Sequence, residues 1–131
     1  MKGGSMAPKK AEDFDFELNF YEKILERKPD FIEALMALGD LYTKKGKHEE
    51  GLKIDQRLAR LRPEDDTVLY NLACSYSLMN NVDEALVTIK RAIENGYDNM
   101  EYLERDDDLD NLRRDQRFKE FFGGIKSKKA R

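Results

Sequence analysis

The chain is poor in the residues that announce chemistry: 131 residues hold one cysteine, one histidine, three prolines and no tryptophan. The single thiol, Cys74, excludes a disulfide framework and fits a reducing compartment, so a cytoplasmic protein is expected. One His and one Cys cannot supply the ligand spacing of a zinc site, and no metal or other cofactor is expected. A nucleophile needs an adjacent base, yet His48 falls in a turn far in sequence from Cys74, so no catalytic residue is assigned and the chain does not read as an enzyme. No glycine-rich phosphate loop is present. Gly3-Gly4 and Gly123-Gly124 sit near the ends, Gly46 and Gly96 punctuate apolar segments, and Gly39 and Gly51 lie inside them. No apolar run is long enough to span a membrane, and residues 1 to 11 carry no signal-peptide pattern.

Charge is plentiful but unevenly placed. The formal net charge is −3, yet residues 1 to 11 hold three Lys, and Lys126, Lys128, Lys129 and Arg131 close the chain with no acid among them. Setting those seven cations aside leaves the body at −10. Such a body repels nucleic acid and attracts basic partners, and the short basic tail reads as a solvated end. Neither a nucleic acid nor a membrane is expected as partner.

What is present is a period of 34 residues. Leu35, Leu38, Gly39, Tyr42, Gly46, Gly51, Leu58 and Pro63 return as Leu69, Leu72, Ala73, Tyr76, Asn80, Ala85, Ala92 and Tyr97. A repeat of this length marks a stacked solenoid whose units cannot bury their apolar faces alone. Helical spacing of apolar residues predicts helices over 13–28, 31–45, 47–61, 65–79 and 82–95, with Gly46, Asn80-Asn81 and Gly96 at the joints. No segment alternates with period two, so no sheet is expected.

This pattern of large residue, Leu, small residue and aromatic on one helix, followed by small residues on the next, resembles that of the tetratricopeptide repeat family. It reads Leu35, Leu38, Gly39, Tyr42, Gly51 and Leu58 in one repeat and Leu69, Leu72, Ala73, Tyr76, Ala85 and Ala92 in the next. The resemblance implies an all-α solenoid of antiparallel helix pairs. Its expected organisation is a flexible tail over 1–12 and a single domain over 13–123, followed by a basic tail over 124–131. Within the domain are a half-repeat (13–31), full repeats (32–65 and 66–99) and a C-terminal helical cap (100–123). Glu17 stands where the full repeats have Gly51 and Ala85, which suits a first helix that faces water. The stretch from Asp106 to Phe122 is similar to the acidic, Leu-Arg and Arg-Phe tail of many bacterial members. In that lid Asp107 or Asp108 and Asp115 are expected as N-caps, and Leu109, Leu112, Phe118, Phe121 and Phe122 as cover for the last repeat. Asp106, Asp108 and Asp110 have EF-hand spacing, but the sixth position is Asn111 and the twelfth Arg117, so calcium is not expected.

The resemblance also implies a protein-interaction adaptor or scaffold with a concave groove. Met36, Asp40 and Thr43, spaced i, i+4, i+7, recur as Tyr70, Cys74 and Ser77. With Glu33, Asn71 and Glu101 they form the expected groove. The clamp that some members close on a terminal carboxylate needs Lys, Asn, Asn, Lys and Arg; the matching positions are Met36, Asp40, Asn71, Glu101 and Arg105. Glu33, Asp40, Glu101 and Glu104 would repel a carboxylate, so a basic or apolar peptide segment of another protein is the expected partner. Phe16 and Phe20, one turn apart, either widen the buried face of the first helix or leave an apolar edge for homo-oligomerisation or a partner's helix.

Overall fold

A computed structural model describes residues 11–129, and these form eight α-helices and one 3₁₀ turn, with no strand among the described residues. The helices are α1 (Ala11–Arg27), α2 (Ile32–Lys44), α3 (His48–Leu61), α4 (Asp66–Leu78), α5 (Val82–Glu94), α6 (Met100–Arg105), α7 (Asp110–Arg113) and α8 (Gln116–Lys129); the 3₁₀ turn is Asp107–Leu109. The fold is the expected all-α tetratricopeptide-type solenoid, with α2 packed on α3, α3 on α4, and α4 on α5. Residues 1–10 of the expected N-terminal tail, and residues 130 and 131 of the basic tail, lie outside the described residues.

Three helices end by one mechanism. The amide of Lys47 bonds the Tyr42 carbonyl at 2.8 Å, that of Asn81 the Tyr76 carbonyl at 2.8 Å, and that of Tyr97 the Ala92 carbonyl at 2.9 Å. This closure needs one residue at positive φ just before the donor, and Gly46 (80°), Asn80 (59°) and Gly96 (111°) supply it. Asn at Asn80 is the non-glycine residue that tolerates this region best.

The repeat's small residues mark close approaches. A Cβ added at Gly39 would sit 3.1 Å from Asp55 Oδ1 and 3.3 Å from Ile54 Cγ2, both on α3. Ala73, Ala85 and Ala92 are fully buried in the cluster that joins α4, α5 and the C-terminal helices. Around α1, Phe14, Leu18, Tyr21 and Leu25 pack on Leu38, Leu41, Tyr42 and Ile54. The Tyr42 hydroxyl donates to Glu22 at 2.9 Å, and Lys45 pairs with Asp15. Glu17 is half-buried and close enough to favour the Lys44 cation.

The C-terminal lid departs from expectation in one cap, in where its last helix ends and in one of its covering rings. It begins with α6, where Asn99 caps the Tyr102 amide at 3.1 Å and Leu103 is buried. The 3₁₀ turn is capped by Asp106, which accepts from the Asp108 amide at 3.0 Å, and not by Asp107 or Asp108. Asp115 caps α8 as expected, accepting from the Arg117 amide at 2.8 Å. That helix runs through Gly123 and Gly124 to Lys129, so residue 123 is no helix end; Lys126 secures the extension by pairing with Glu104 at 2.9 Å and lying over the Phe122 ring. Leu103, Leu109, Leu112, Phe118 and Phe122 are buried against the last repeat, whereas Phe121 is half-buried beside Lys90.

Two stability predictions arise from the α2–α3–α4 packing. Gly39→Leu must displace Ile54 and the Asp55 carboxylate, and should cost about 1–3 kcal/mol in chemical denaturation. Asp55 is buried, and burial raises its pKa from 3.8 to about 6 against the opposing hydrogen bond from Ser75. The folded chain therefore takes up this proton before the unfolded chain does. Its contribution to stability should be fullest below about pH 4 and be lost as pH rises through about 6. Between pH 4 and 7 the wild type should lose on the order of 2–3 kcal/mol relative to Asp55→Asn, read from denaturation curves at each pH.

Candidate functional site

A groove of about 330 Å³ opens between α2, α4 and the start of the lid, with α3 beneath it. From α2 come Met36, Gly39, Asp40 and Thr43, and from α3 Asp55 and Leu58. From α4 come Thr67, Tyr70, Asn71, Cys74, Ser75 and Leu78; Tyr97, Tyr102, Asp106 and Asp108 close the far wall. Helical spacing explains the α2 side: positions 36, 40 and 43 share one face, opposite the face that buries Leu35, Leu38 and Leu41.

Six of the expected groove residues therefore meet here: Met36, Asp40, Thr43, Tyr70, Asn71 and Cys74. Three do not. Glu33 and Glu101 are exposed outside the lining. Ser77 is fully buried under the lid, its Oγ accepting from the Leu112 amide at 3.2 Å while its carbonyl accepts from Asn111 Nδ2 at 2.8 Å. Thr43, its counterpart one repeat earlier, has no lid above it and bonds the Gly39 carbonyl at 3.1 Å. Tyr70 and Cys74, although in the lining, are buried rather than open to solvent. Phe16 and Phe20 are 73% and 52% exposed, so they do not widen the buried face of α1.

Asp106, Tyr97, Tyr102, Asp55 and Asp108 were not among the expected site residues, and they set the chemistry. The Tyr70 hydroxyl donates to Asp106 Oδ2 at 2.7 Å, and the Cys74 thiol faces the same oxygen at 3.8 Å. Tyr70 stacks on Tyr97, centroids 4.3 Å apart, and Tyr102 stands tilted 6.1 Å away. The sequence gives one signal for this wall, since Tyr97 replaces the Pro expected by the repeat.

Burial and neighbouring carboxylates disfavour negative charge on several of the groove's side chains. Burial, together with Asp106, Asp108 and Asp55, raises the Cys74 pKa well above its usual value, so the thiol stays protonated. Tyr70 and Tyr97 are raised chiefly by burial, Tyr102 chiefly by the charge of Asp106. Burial also raises Asp108, with Asp106 adding and His48 opposing. Cys74, Asp106 and Asp108 bring potential ligand atoms within 4.8 Å of one another. Cys74 is nonetheless a protonated thiol, and both oxygens of Asp106 already accept hydrogen bonds.

Comparison with known proteins gives a fold likeness and a family. The solved structure of MamA (41-end) from Desulfovibrio magneticus RS-1 superposes with a TM-score of 0.63 over 80% of this chain and 69% of that one, at 16% identity. A chloroplastic protein of Arabidopsis thaliana is 31% identical over 100 residues, which are 74% of this chain and 28% of that protein. The CTR9 homolog of the same plant is 44% identical over 45 residues, 34% of this chain and 4% of that protein. The chain thus spans little more than a quarter of the first curated relative and a small part of the second. The family model that matches, over residues 38–130, is described as A/B hydrolase-like, N-terminal domain, a name that does not mention the tetratricopeptide repeat. It covers the second half of α2 through the lid, and with it the groove residues other than Met36. The chain therefore belongs to the A/B hydrolase-like, N-terminal domain family, and within it has the helical fold of a tetratricopeptide-type solenoid.

Proposed function

We propose that this chain is a non-catalytic protein-binding module, an adaptor or scaffold that receives a basic or apolar segment of a partner protein in the groove between α2 and α4. The composition of the lining carries this reading. It contains four carboxylates, with apolar Met36, Leu58 and Leu78 and three tyrosines, and no Lys, Arg or His among the described residues. A wall of one sign attracts the opposite charge and rejects its own. Met36, Asp40, Asn71 and Tyr102 are exposed along the rim, where an extended segment would touch them. The non-catalytic part of the reading is supported by Cys74, a buried thiol whose pKa burial and the neighbouring Asp106 push up, the opposite of what a nucleophile needs. A cytoplasmic location and kinship with the small bacterial members of the tetratricopeptide family belong to the same reading, the first supported by the lone thiol and the second by the tail sequence. No described helix is long and apolar enough to cross a membrane.

The test is selection of random peptides on the folded chain. Enriched sequences should carry Lys or Arg beside apolar residues and bind less tightly as salt rises. Asp40→Lys with Asn71→Lys, both on exposed positions, should weaken the selected peptides by about tenfold or more without changing the melting temperature. Unchanged binding by that double variant would remove the groove from consideration.

The exposed Phe16 and Phe20 favour a second reading, assembly through the first helix. In it, the chain sediments above monomer mass at micromolar concentration, and Phe16→Ser with Phe20→Ser returns it to monomer while remaining folded. A wild type that stays monomeric across concentrations would end that reading.

A further inference from the structure

The groove shelters three carboxylates from bulk water, and among the described residues no Lys or Arg pairs with any of them. Asp55 and Asp106 are less than a tenth exposed, and Asp108 is half-buried. Asp55 accepts from the Ser75 hydroxyl. Asp106 accepts from Tyr70, from Cys74 and from the Asp108 amide. The Asp108 carboxylate makes no hydrogen bond or ion pair among the described residues, and His48 acts on it only through space. By contrast, Asp40 on the rim has Lys44 at 2.9 Å. Hydroxyl, thiol and amide donors satisfy lone pairs but bring no full positive charge, and buried charges in proteins are ordinarily paired. The missing charge has room to enter, because the groove volume of about 330 Å³ lies at the small end of ligand sites.

The surroundings select the kind of cation. Cys74 is protonated when no cation is present and each Asp106 oxygen already accepts a hydrogen bond, so a divalent metal would have to displace a proton and compete with those donors. An organic cation needs no lone pair of fixed geometry and gains from aromatic faces, which Tyr97 and the exposed Tyr102 provide beside the carboxylates. We propose that the groove seats one organic cation, the ammonium or guanidinium of a Lys or Arg side chain in the partner segment, beside Tyr97 and Tyr102 and compensated by Asp106, Asp108 and Asp55. The proposal rests on the peptide-groove reading and specifies its central contact.

The test uses n-butylguanidinium chloride and its neutral counterpart n-pentanol, followed by amide shifts in nitrogen-15 spectra of the whole chain. The guanidinium should give saturable shifts at Cys74, Tyr97 and Asp108, and the alcohol none there. Asp108→Asn removes a charge whose carboxylate bonds nothing among the described residues, and should weaken the guanidinium about fivefold or more with no loss of stability. Asp106→Asn, which keeps the turn cap, should weaken it further. In a peptide selected on the groove, replacing the seated Lys or Arg by norleucine should cost at least about tenfold. Equal shifts with the alcohol, unchanged affinity in Asp108→Asn, or saturation of these amides by zinc or calcium in place of the guanidinium would overturn the cation site. Selected peptides that bind Asp40→Lys with Asn71→Lys weakly yet tolerate norleucine would overturn it while leaving the groove reading standing. The absence of any groove-binding peptide would remove the partner segment itself.

Discussion

The repeats and the lid are joined through α4, which packs against α3, α5, the 3₁₀ turn and α7 and is covered on nearly every side. Eight of its residues, Val68, Leu69, Tyr70, Leu72, Ala73, Cys74, Ser75 and Ser77, are buried. A helix so enclosed cannot leave a polar side chain facing apolar neighbours without cost, so each of its polar groups must find a partner on a particular neighbour. Ser75 reaches back to Asp55 on α3, Ser77 holds the lid through Leu112 and Asn111, and Tyr70 and Cys74 converge on Asp106. Apolar contacts alone tolerate sliding by fractions of a turn. Directional bonds at three levels of one helix do not, and they set the register in which repeat and lid meet.

The repeat frame was legible because local rules and long-range packing agree in it. A small residue at Gly39 and at Ala73 and a turn residue at Gly46 and at Asn80 each say the same thing about where helices stop and touch. The site was half legible. Positions 36, 40 and 43 could be placed on one face by period alone, and the period carried Tyr70 and Cys74 to the equivalent wall. It failed at Ser77, since translation by one repeat is valid only while the next layer is also a repeat, and the layer over Ser77 is the lid. Asp106 was hidden for a related reason. Its partners lie 36 and 32 residues upstream, and nothing in the local acidic run distinguishes the carboxylate that turns inward from those that stay outside.

The same acidic run explains how an interaction surface and a structural cap share residues. Asp106 ends α6, opens the 3₁₀ turn and receives the Tyr70 hydroxyl, so the wall of the groove is also the first joint of the lid. Arg113 and Arg117 serve the outer side, Arg113 bonding the Leu103 carbonyl at 2.7 Å and Arg117 bridging Asp83 and Asp115. The cations of the tail are thus spent away from the groove. That division leaves an acidic hollow in a protein whose formal charge is only −3.

The two ends of the stack are unequal. At the far end, α7 and α8 contribute none of the exposed large apolar side chains, whereas α1 contributes Phe16 and Phe20. A head-to-tail filament requires two different complementary faces on each copy, and of the two described ends only α1 carries such an apolar pair. Two copies meeting through α1 would each cover the other's open face, related by a two-fold axis, and the assembly would be finished at two subunits.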